Sequence, residues 1–480
     1  MKNILFVASE CVPFIKTGGL ADVVGALPKA LDKSKYDVRV MLPDYTCIPD
    51  KYRSQFRYVH HFYMDLGHLG DVYVGVMSLE LDGITYYFID NEHYFRADTP
   101  YGDLHWDIEK FCYFSKAALA ALPVIGFHPD IIHCHDWQAG LVPVFLHTLF
   151  KSNPFFGGVR TVMTIHNLRF QGVWDIPTFQ LYTGLPRDVF TPDRLEFKKD
   201  ANMLKGGLVY ADRITTVSRS YAEEIKMPYY GEGLDGLLRA KAGTLSGIVN
   251  GIDVEIYNPQ TDPHLALAYD AHNFKRGKAA AKAALQRELG LPEDPNMMML
   301  AMITRLTDQK GLDLVAYVME RLLASAVQFV VIGTGDARYE NLFRHYEWTR
   351  KDKVSANIYF NDERAHKLYA AADAMLMPSS FEPCGLTQLI SMRYGTLPVV
   401  RETGGLRDTV EPYNQFEQTG TGFSFSNYNA DEMLDSIFYA EQVYYDNRPA
   451  WDQMVQRAME KDYSWAASAK QYEQLYENLG

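Results

Sequence analysis

Three loops carry residue types suited to chemistry. The first is Lys16-Thr17-Gly18-Gly19-Leu20-Ala21-Asp22, which follows an apolar run and opens a helical pattern. Two glycines let the backbone come close to a ligand. The free N–H groups and positive dipole end of the following helix favour an anion, and Lys16 adds a full charge. The loop has neither G-x-G-x-x-G nor G-x-x-x-x-G-K-[ST] spacing, so by itself it reads equally as an anion seat or a plain turn. The second loop runs from Ile303-Thr304-Arg305-Leu306 to Lys310-Gly311-Leu312. Arg305 offers a planar fork for phosphate oxygens and Lys310 a point charge; the alternative is a solvated basic pair. The third is Pro378-Ser379-Ser380-Phe381-Glu382-Pro383-Cys384-Gly385-Leu386-Thr387-Gln388. Pro383 holds Glu382 extended, and Cys384, Gly385 and Leu386 present successive N–H groups at a helix start. A carboxylate there suits the binding of sugar hydroxyls or the balancing of positive charge developing at carbon. A capping acid is the plainer alternative.

Two histidine-bearing strand ends and a second glycine pair add to these. His133-Cys134-His135-Asp136-Trp137 places two imidazoles on one face of a strand. The chain has no H-E-x-x-H and no Asp-x-Asp to complete a ligand set, so no metal is expected, and Asp136 is read at a cleft edge. Thr164-Ile165-His166-Asn167 ends the next strand, with His166 either functional or a satisfied loop residue. Gly404-Gly405-Leu406 repeats the Gly-Gly-Leu turn, where a structural reading leads slightly. Among 32 tyrosines and 26 phenylalanines, most belong to the core; Tyr94 and Phe360 are the two named candidates for stacking on a ligand.

The elements that must position these loops alternate short apolar runs with amphipathic segments, the rhythm of parallel sheets covered by helices. Strands are expected at 3–8, 37–42, 72–79, 84–89, 130–133, 159–165, 213–217 and 246–249, then in a second series at 298–304, 327–332, 357–360, 374–378 and 397–401. Helices are expected at about 274–289, 310–324, 363–372, 385–394 and 404–411, and from 431 onward. Leu20, Val23, Val24, Leu27 and Leu31 form one helical face, which Pro28 should kink or shorten. Asn250-Gly251-Ile252-Asp253 through Asn258-Pro259 is the expected hinge. The fold class is therefore α/β, with two doubly wound Rossmann-like domains whose strand carboxyl ends face a cleft.

Bulk properties agree. A chain of 480 residues is too long for one core. It is 47% hydrophobic and 22% charged, with net charge −13 and pI near 5.6. That balance argues against nucleic acid or an anionic membrane as partner. No stretch approaches a membrane span. Five scattered cysteines without C-x-x-C spacing fit a reducing cytoplasm.

Taken in order, Lys16–Val23, His135-Asp136-Trp137, Thr164–Asn167, Asn250–Asp253, Arg305–Leu312, Phe381–Gln388 and Thr403–Leu406 resemble the bacterial glycogen synthase and plant starch synthase family. The resemblance covers essentially the whole chain, including Tyr463-Ser464-Trp465. It implies a glycosyltransferase B fold, with residues 1–250 as the acceptor-side domain, 251–459 as the nucleotide-sugar domain, and a helix at 460–480 returning to the first. It implies transfer of glucose from ADP-glucose to the non-reducing end of an α-1,4-glucan, with retention and without a metal or other cofactor. By motif, Lys16, Gly18 and Gly19 approach the donor phosphate and glucose. Arg305 and Lys310 neutralise the diphosphate, and Asp22, Asn250 and Phe360 lie near the adenosine. Glu382, with Cys384, Gly385, Leu386 and Thr387, holds the donor glucose. His166, Asn167, Asp136 and Trp137 line the glucose and acceptor side, with Tyr94 a stacking candidate. Phe360 stands where bacterial members often carry Tyr, and Ile390 stands where many related retaining enzymes carry a second Glu, so Ile390 receives no role.

The chemistry expected is front-face attack, the leaving phosphate taking the acceptor proton and Glu382 stabilising positive charge without a covalent bond. Competing readings are the same transfer from UDP-glucose, another retaining glucosyltransferase such as a sucrose- or trehalose-related synthase, a phosphorylase, or a non-catalytic glucan-binding scaffold with an eroded site.

Overall fold

The computed structural model describes residues 1–479. The chain divides into two compact units. The first holds Met1–Val217, Ala222–Ile248 and the segment from Ser468 onward; the second holds Ser218–Tyr221 and Val249–Ala467. The stretch 460–467 lies with the second unit, where Tyr463 O accepts from Ile252 N at 2.8 Å and Ser464 bridges Ile252.

In the first unit, strand β1 (Lys2–Val7) is apolar and wholly buried over its last four residues, as a strand covered on both faces must be. It sits inside a nine-stranded sheet, between β2 (Tyr36–Pro43) and Ile131–His135. The order continues on one side through Arg160–Ile165 and Arg213–Thr216 to Leu245–Gly247, all parallel. On the other side it passes Ile84–Asp90 to an antiparallel pair, Asp71–Leu81 and Arg57–Asp65. The edge strand Arg57–Asp65 has only Met64 buried, so it lacks the apolar run by which strands are recognised in sequence. Helix α1 (Gly19–Ala30) follows β1 and buries Leu20, Val23, Val24 and Leu27. Pro28 lies in its last turn, and the helix stops two residues later.

The second unit is a six-stranded parallel sheet in the order Val354–Asn357, Val327–Ile332, Met298–Ile303, Ala374–Met377, Leu397–Arg401, Phe423–Phe425. The strand expected at 357–360 occupies Val354–Asn357, so Tyr359 and Phe360 fall in the loop beyond its end. Order changes on either side of Met298–Ile303, and such switch points open a crevice at the carboxyl ends of the strands. Thr304 to Lys310 and Pro378 to Leu386 leave two adjacent strands at that end.

Candidate active site

In the second unit the ammonium of Lys310 lies 2.9 and 2.7 Å from the two carboxylate oxygens of Glu382. Ser379 Oγ donates to Glu382 Oε2 at 2.8 Å. Both members of the ion pair are largely shielded from water, with side chains 16% and 8% exposed. The pair lines a small cavity of about 100 Å³ with Thr304, Gly385, Leu386 and Thr387. Backbone packing fixes it. Gly311, after Lys310, has φ +74°, and a side chain there would lie 2.2 Å from the carbonyl oxygen of Pro378. Gly405 N donates to Glu382 O at 3.1 Å. Ser218 Oγ donates to Pro383 O at 2.6 Å. Arg305 is exposed and makes no ion pair among the described residues.

The neighbouring residues divide by role. Cys384 is buried, and burial raises its thiol pKa to about 12, against a backbone N–H of Asn250; it stays a neutral thiol. The Oδ1 of Asn250 is buried with no partner among the described residues. Phe360 is 72% exposed, a ring free on the surface, whereas Ile390 is core.

In the first unit the Lys16 loop is tied down at its start. Glu10 is buried, and its carboxylate accepts from Thr17 N, from Thr17 Oγ1 at 2.7 Å and from the Tyr101 hydroxyl. Lys16 itself is half exposed and pairs at 2.8 Å with Asp22 in the next helix. Burial raises the Asp22 pKa and Lys16 opposes that shift. Side chains built at Gly18 and Gly19 would meet no atom within 4 Å. Nothing in the protein demands glycine there, so the space in front of this loop stays open.

Asp136 ends its strand in a left-handed conformation, φ +57°, and accepts from His166 N at 2.7 Å. Burial pushes its carboxyl up to about 7, although backbone N–H groups of His166 and Asn167 favour the ionised form. His166 is buried and held neutral, its pKa lowered to about 3 by desolvation. Its Nε2 lies 2.9 Å from His135 Nδ1. Asn167 Oδ1 accepts from Arg169 N at 3.1 Å, closing a turn.

Two expected ligand-facing aromatics are core residues. Tyr94 stacks on Tyr113 at 4.5 Å and on Trp106 at 5.7 Å, and its hydroxyl donates to Glu109 at 2.9 Å. The residue is only 4% exposed, so it offers no platform for a sugar. Trp137 meets Phe111 edge-on at 5.3 Å, and its ring presses on Gly172, where a side chain would come within 2.4 Å of it.

Residues 3–240 match the family of starch synthase catalytic domains and residues 282–456 that of glycosyl transferases group 1. The chain is 61% identical to a glycogen synthase of Lachnospira eligens, with all of both chains covered. It is 49% identical to a glycogen synthase of Anoxybacillus flavithermus, over 99% of this chain and 98% of the relative.

The chain belongs to the glycogen synthase family.

Among solved structures, the catalytic domain of starch synthase IV from Arabidopsis thaliana, bound to ADP and acarbose, superposes with a TM-score of 0.90 at 32% identity, covering 100% of this chain and 99% of that one. A sucrose-phosphate synthase from Thermosynechococcus elongatus shares the fold alone, with a TM-score of 0.62 at 19% identity over 100% and 99%. This member of the glycogen synthase family is therefore a glycosyltransferase of the B fold, with two Rossmann-like units. The site residues that sequence reasoning missed are Glu10, Tyr101, Ser379 and His135. Their signal is indirect: Glu10, Ser379 and His135 each hydrogen-bond a motif residue, and Tyr101 bonds Glu10, through contacts that spacing does not reveal.

Proposed function

We propose that this enzyme transfers glucose from ADP-glucose to the non-reducing end of an α-1,4-glucan, with the α configuration retained, without a metal, in the cytoplasm. The observation that carries the reading is the Lys310–Glu382 pair, shielded, held by Ser379 and bordering a cavity at the carboxyl end of a parallel sheet. Negative charge grows on the leaving phosphate as the glycosidic bond breaks. Lys310, Arg305 and Lys16 stabilise it, as preorganised charges do where charge develops. Positive charge grows on the anomeric carbon, and Glu382 balances it without forming a bond. Retaining hydrolases use a second carboxylate about 5–5.5 Å from the first; Ile390 offers none. The acceptor hydroxyl attacks from the leaving-group side and its proton passes to the departing phosphate oxygen.

Gly18 and Gly19 supply backbone approach to the phosphate and glucose. Cys384, Gly385, Leu386 and Thr387 hold the sugar, and Asp22, Asn250 and the exposed ring of Phe360 serve the adenosine. His166, Asn167 and Asp136 serve the glucose and acceptor. The ADP bound to the Arabidopsis thaliana neighbour supports an adenine nucleotide, and its acarbose supports a glucan acceptor.

Incorporation of radiolabelled glucose into glycogen from ADP-glucose against UDP-glucose tests the reading. ADP-glucose should be preferred by at least about tenfold in kcat/KM; equal use of UDP-glucose overturns the donor assignment. A trapped glucosyl ester on Glu382 overturns the mechanism.

A further inference from the structure

Beneath His166 lies a second imidazole with a constrained proton. His135 is fully buried, stacked on His133 at 4.3 Å and beside Phe6 at 5.2 Å. Its Nδ1 contacts His166 Nε2 at 2.9 Å, while its Nε2 is buried without a partner among the described residues. His133 is not available to exchange, because its two nitrogens already meet Tyr476 OH at 2.7 Å and Thr164 Oγ1 at 2.6 Å.

Burial holds His133, His135 and His166 neutral, and a neutral imidazole has one N–H and one bare nitrogen. The His135–His166 contact needs one proton. If His166 supplies it from Nε2, His135 must carry its own proton on Nε2, stranding a buried donor. If His135 supplies it from Nδ1, only a bare nitrogen is stranded at Nε2. An orphaned N–H is the rarer of the two in buried environments, so the second arrangement prevails. His166 Nε2 then accepts, and the single proton of His166 sits on Nδ1. That atom has no partner among the described residues, so it is the one left for a ligand.

We propose that His135 is a positioning residue that fixes His166 in the Nδ1–H tautomer, so that His166 meets the sugar as a hydrogen-bond donor to a hydroxyl oxygen. The inference rests on the reading of His166 as a glucose-side residue, and it adds the direction of the bond. A donor at this place selects a group that can accept, and it disfavours a sugar analogue whose hydroxyl is replaced by hydrogen.

The test uses the intact enzyme with histidine labelled in ¹⁵N. The His166 Nδ1 resonance should show a directly bonded proton, and Nε2 should show none. The reverse pattern overturns the proposal whatever the enzyme's activity. Kinetics give a second, separate readout. His135→Leu should lower kcat/KM for the nucleotide sugar by about 10- to 100-fold while leaving inhibition by ADP alone within about twofold, since ADP lacks the glucose. His135→Asn, whose amide nitrogen overlays Nδ1, should recover most of the loss. Full activity in His135→Leu, or equal loss in both variants, overturns the proposal. If the wild-type enzyme moves no glucose, the functional reading has failed instead, and the labelling result still decides the tautomer.

Discussion

The tripeptide Gly-Gly-Leu occurs three times; one copy, Gly206-Gly207-Leu208, lies within the helix Met203–Tyr210, and the two that open a helix obey opposite constraints. At Gly18-Gly19-Leu20 a side chain on either glycine would meet no atom within 4 Å. At Gly404-Gly405-Leu406 a side chain on the first would lie 1.8 Å from the carbonyl oxygen of Glu382, and one on the second 2.0 Å from that of Cys384. Gly404 also has φ +47°, a conformation other residues rarely adopt. Identical tripeptides therefore serve unlike ends. The second is glycine because the protein leaves no room. The first is glycine although the protein leaves ample room, so packing within the protein does not account for it. The lysines differ in the same sense. Lys310 is shielded and bound to Glu382, whereas Lys16 is half exposed and bound to Asp22.

The largest expected effect tests the lysines. Lys310→Ala should cut kcat by about 100- to 1000-fold, the cost of removing one preorganised charge. It should also destabilise the fold by about 3 kcal/mol in denaturant unfolding, because it strands a shielded carboxylate. Lys16→Ala should lower activity by about 10- to 100-fold yet change stability by less than about 1 kcal/mol, as an exposed pair would. Equal losses of stability would break the contrast. Next come the glycines. Gly404→Ala should lose about 1–3 kcal/mol from strain and at least about tenfold in kcat as the Glu382 backbone moves. Gly18→Ala should unfold within about 1 kcal/mol of wild type while raising the KM for the nucleotide sugar. If Gly18→Ala binds donor normally, the open space serves no ligand.

The carboxylates sharpen the comparison further. Glu382 faces an ammonium, but Asp136 is met only by backbone N–H groups, and burial raises its pKa to about 7. A carboxyl whose folded pKa lies above its unfolded value contributes fully at low pH, and that contribution is lost as pH rises through the folded pKa. Going from pH 5 to pH 8, wild type should therefore lose about 2 kcal/mol relative to Asp136→Asn. Comparing the two proteins cancels the buried imidazoles, which act in the opposite direction. The smallest effect concerns Tyr94. Tyr94→Phe removes one hydrogen bond, to Glu109, so it should cost about 1 kcal/mol of stability and leave the acceptor KM unchanged.

Much of this was legible in the residues. The largely apolar runs that became Met298–Ile303 and Val327–Ile332 are buried at every position, as strands of a parallel sheet covered on both faces must be. Lys310 and Glu382 were legible as charge types at strand ends, although 72 residues separate them. What stayed hidden has a common cause. Arg57–Asp65 is exposed at the sheet edge, so no periodic burial marks it. Tyr94 and Trp137 carry the residue types of sugar platforms, but whether a ring face is free depends on how the helix Leu104–Ile125 lays Tyr113 and Phe111 against them, which residue type does not reveal. The same holds for His135, whose role depends on a hydrogen bond across two strands and not on its own motif.

The helix Trp465–Glu477 has one more consequence, for the order in which the chain becomes structured. Tyr476 reaches His133 with its hydroxyl and Lys2 with its carbonyl oxygen, and Glu473 caps the backbone of Asp32. The sheet that starts with the second residue is thus completed by residues more than 440 positions later. Domains commonly fold in turn as they leave the ribosome, but here the first to emerge is the last to be finished. An isolated fragment ending near residue 250 would lack Tyr476 and leave His133 Nδ1 without that hydroxyl.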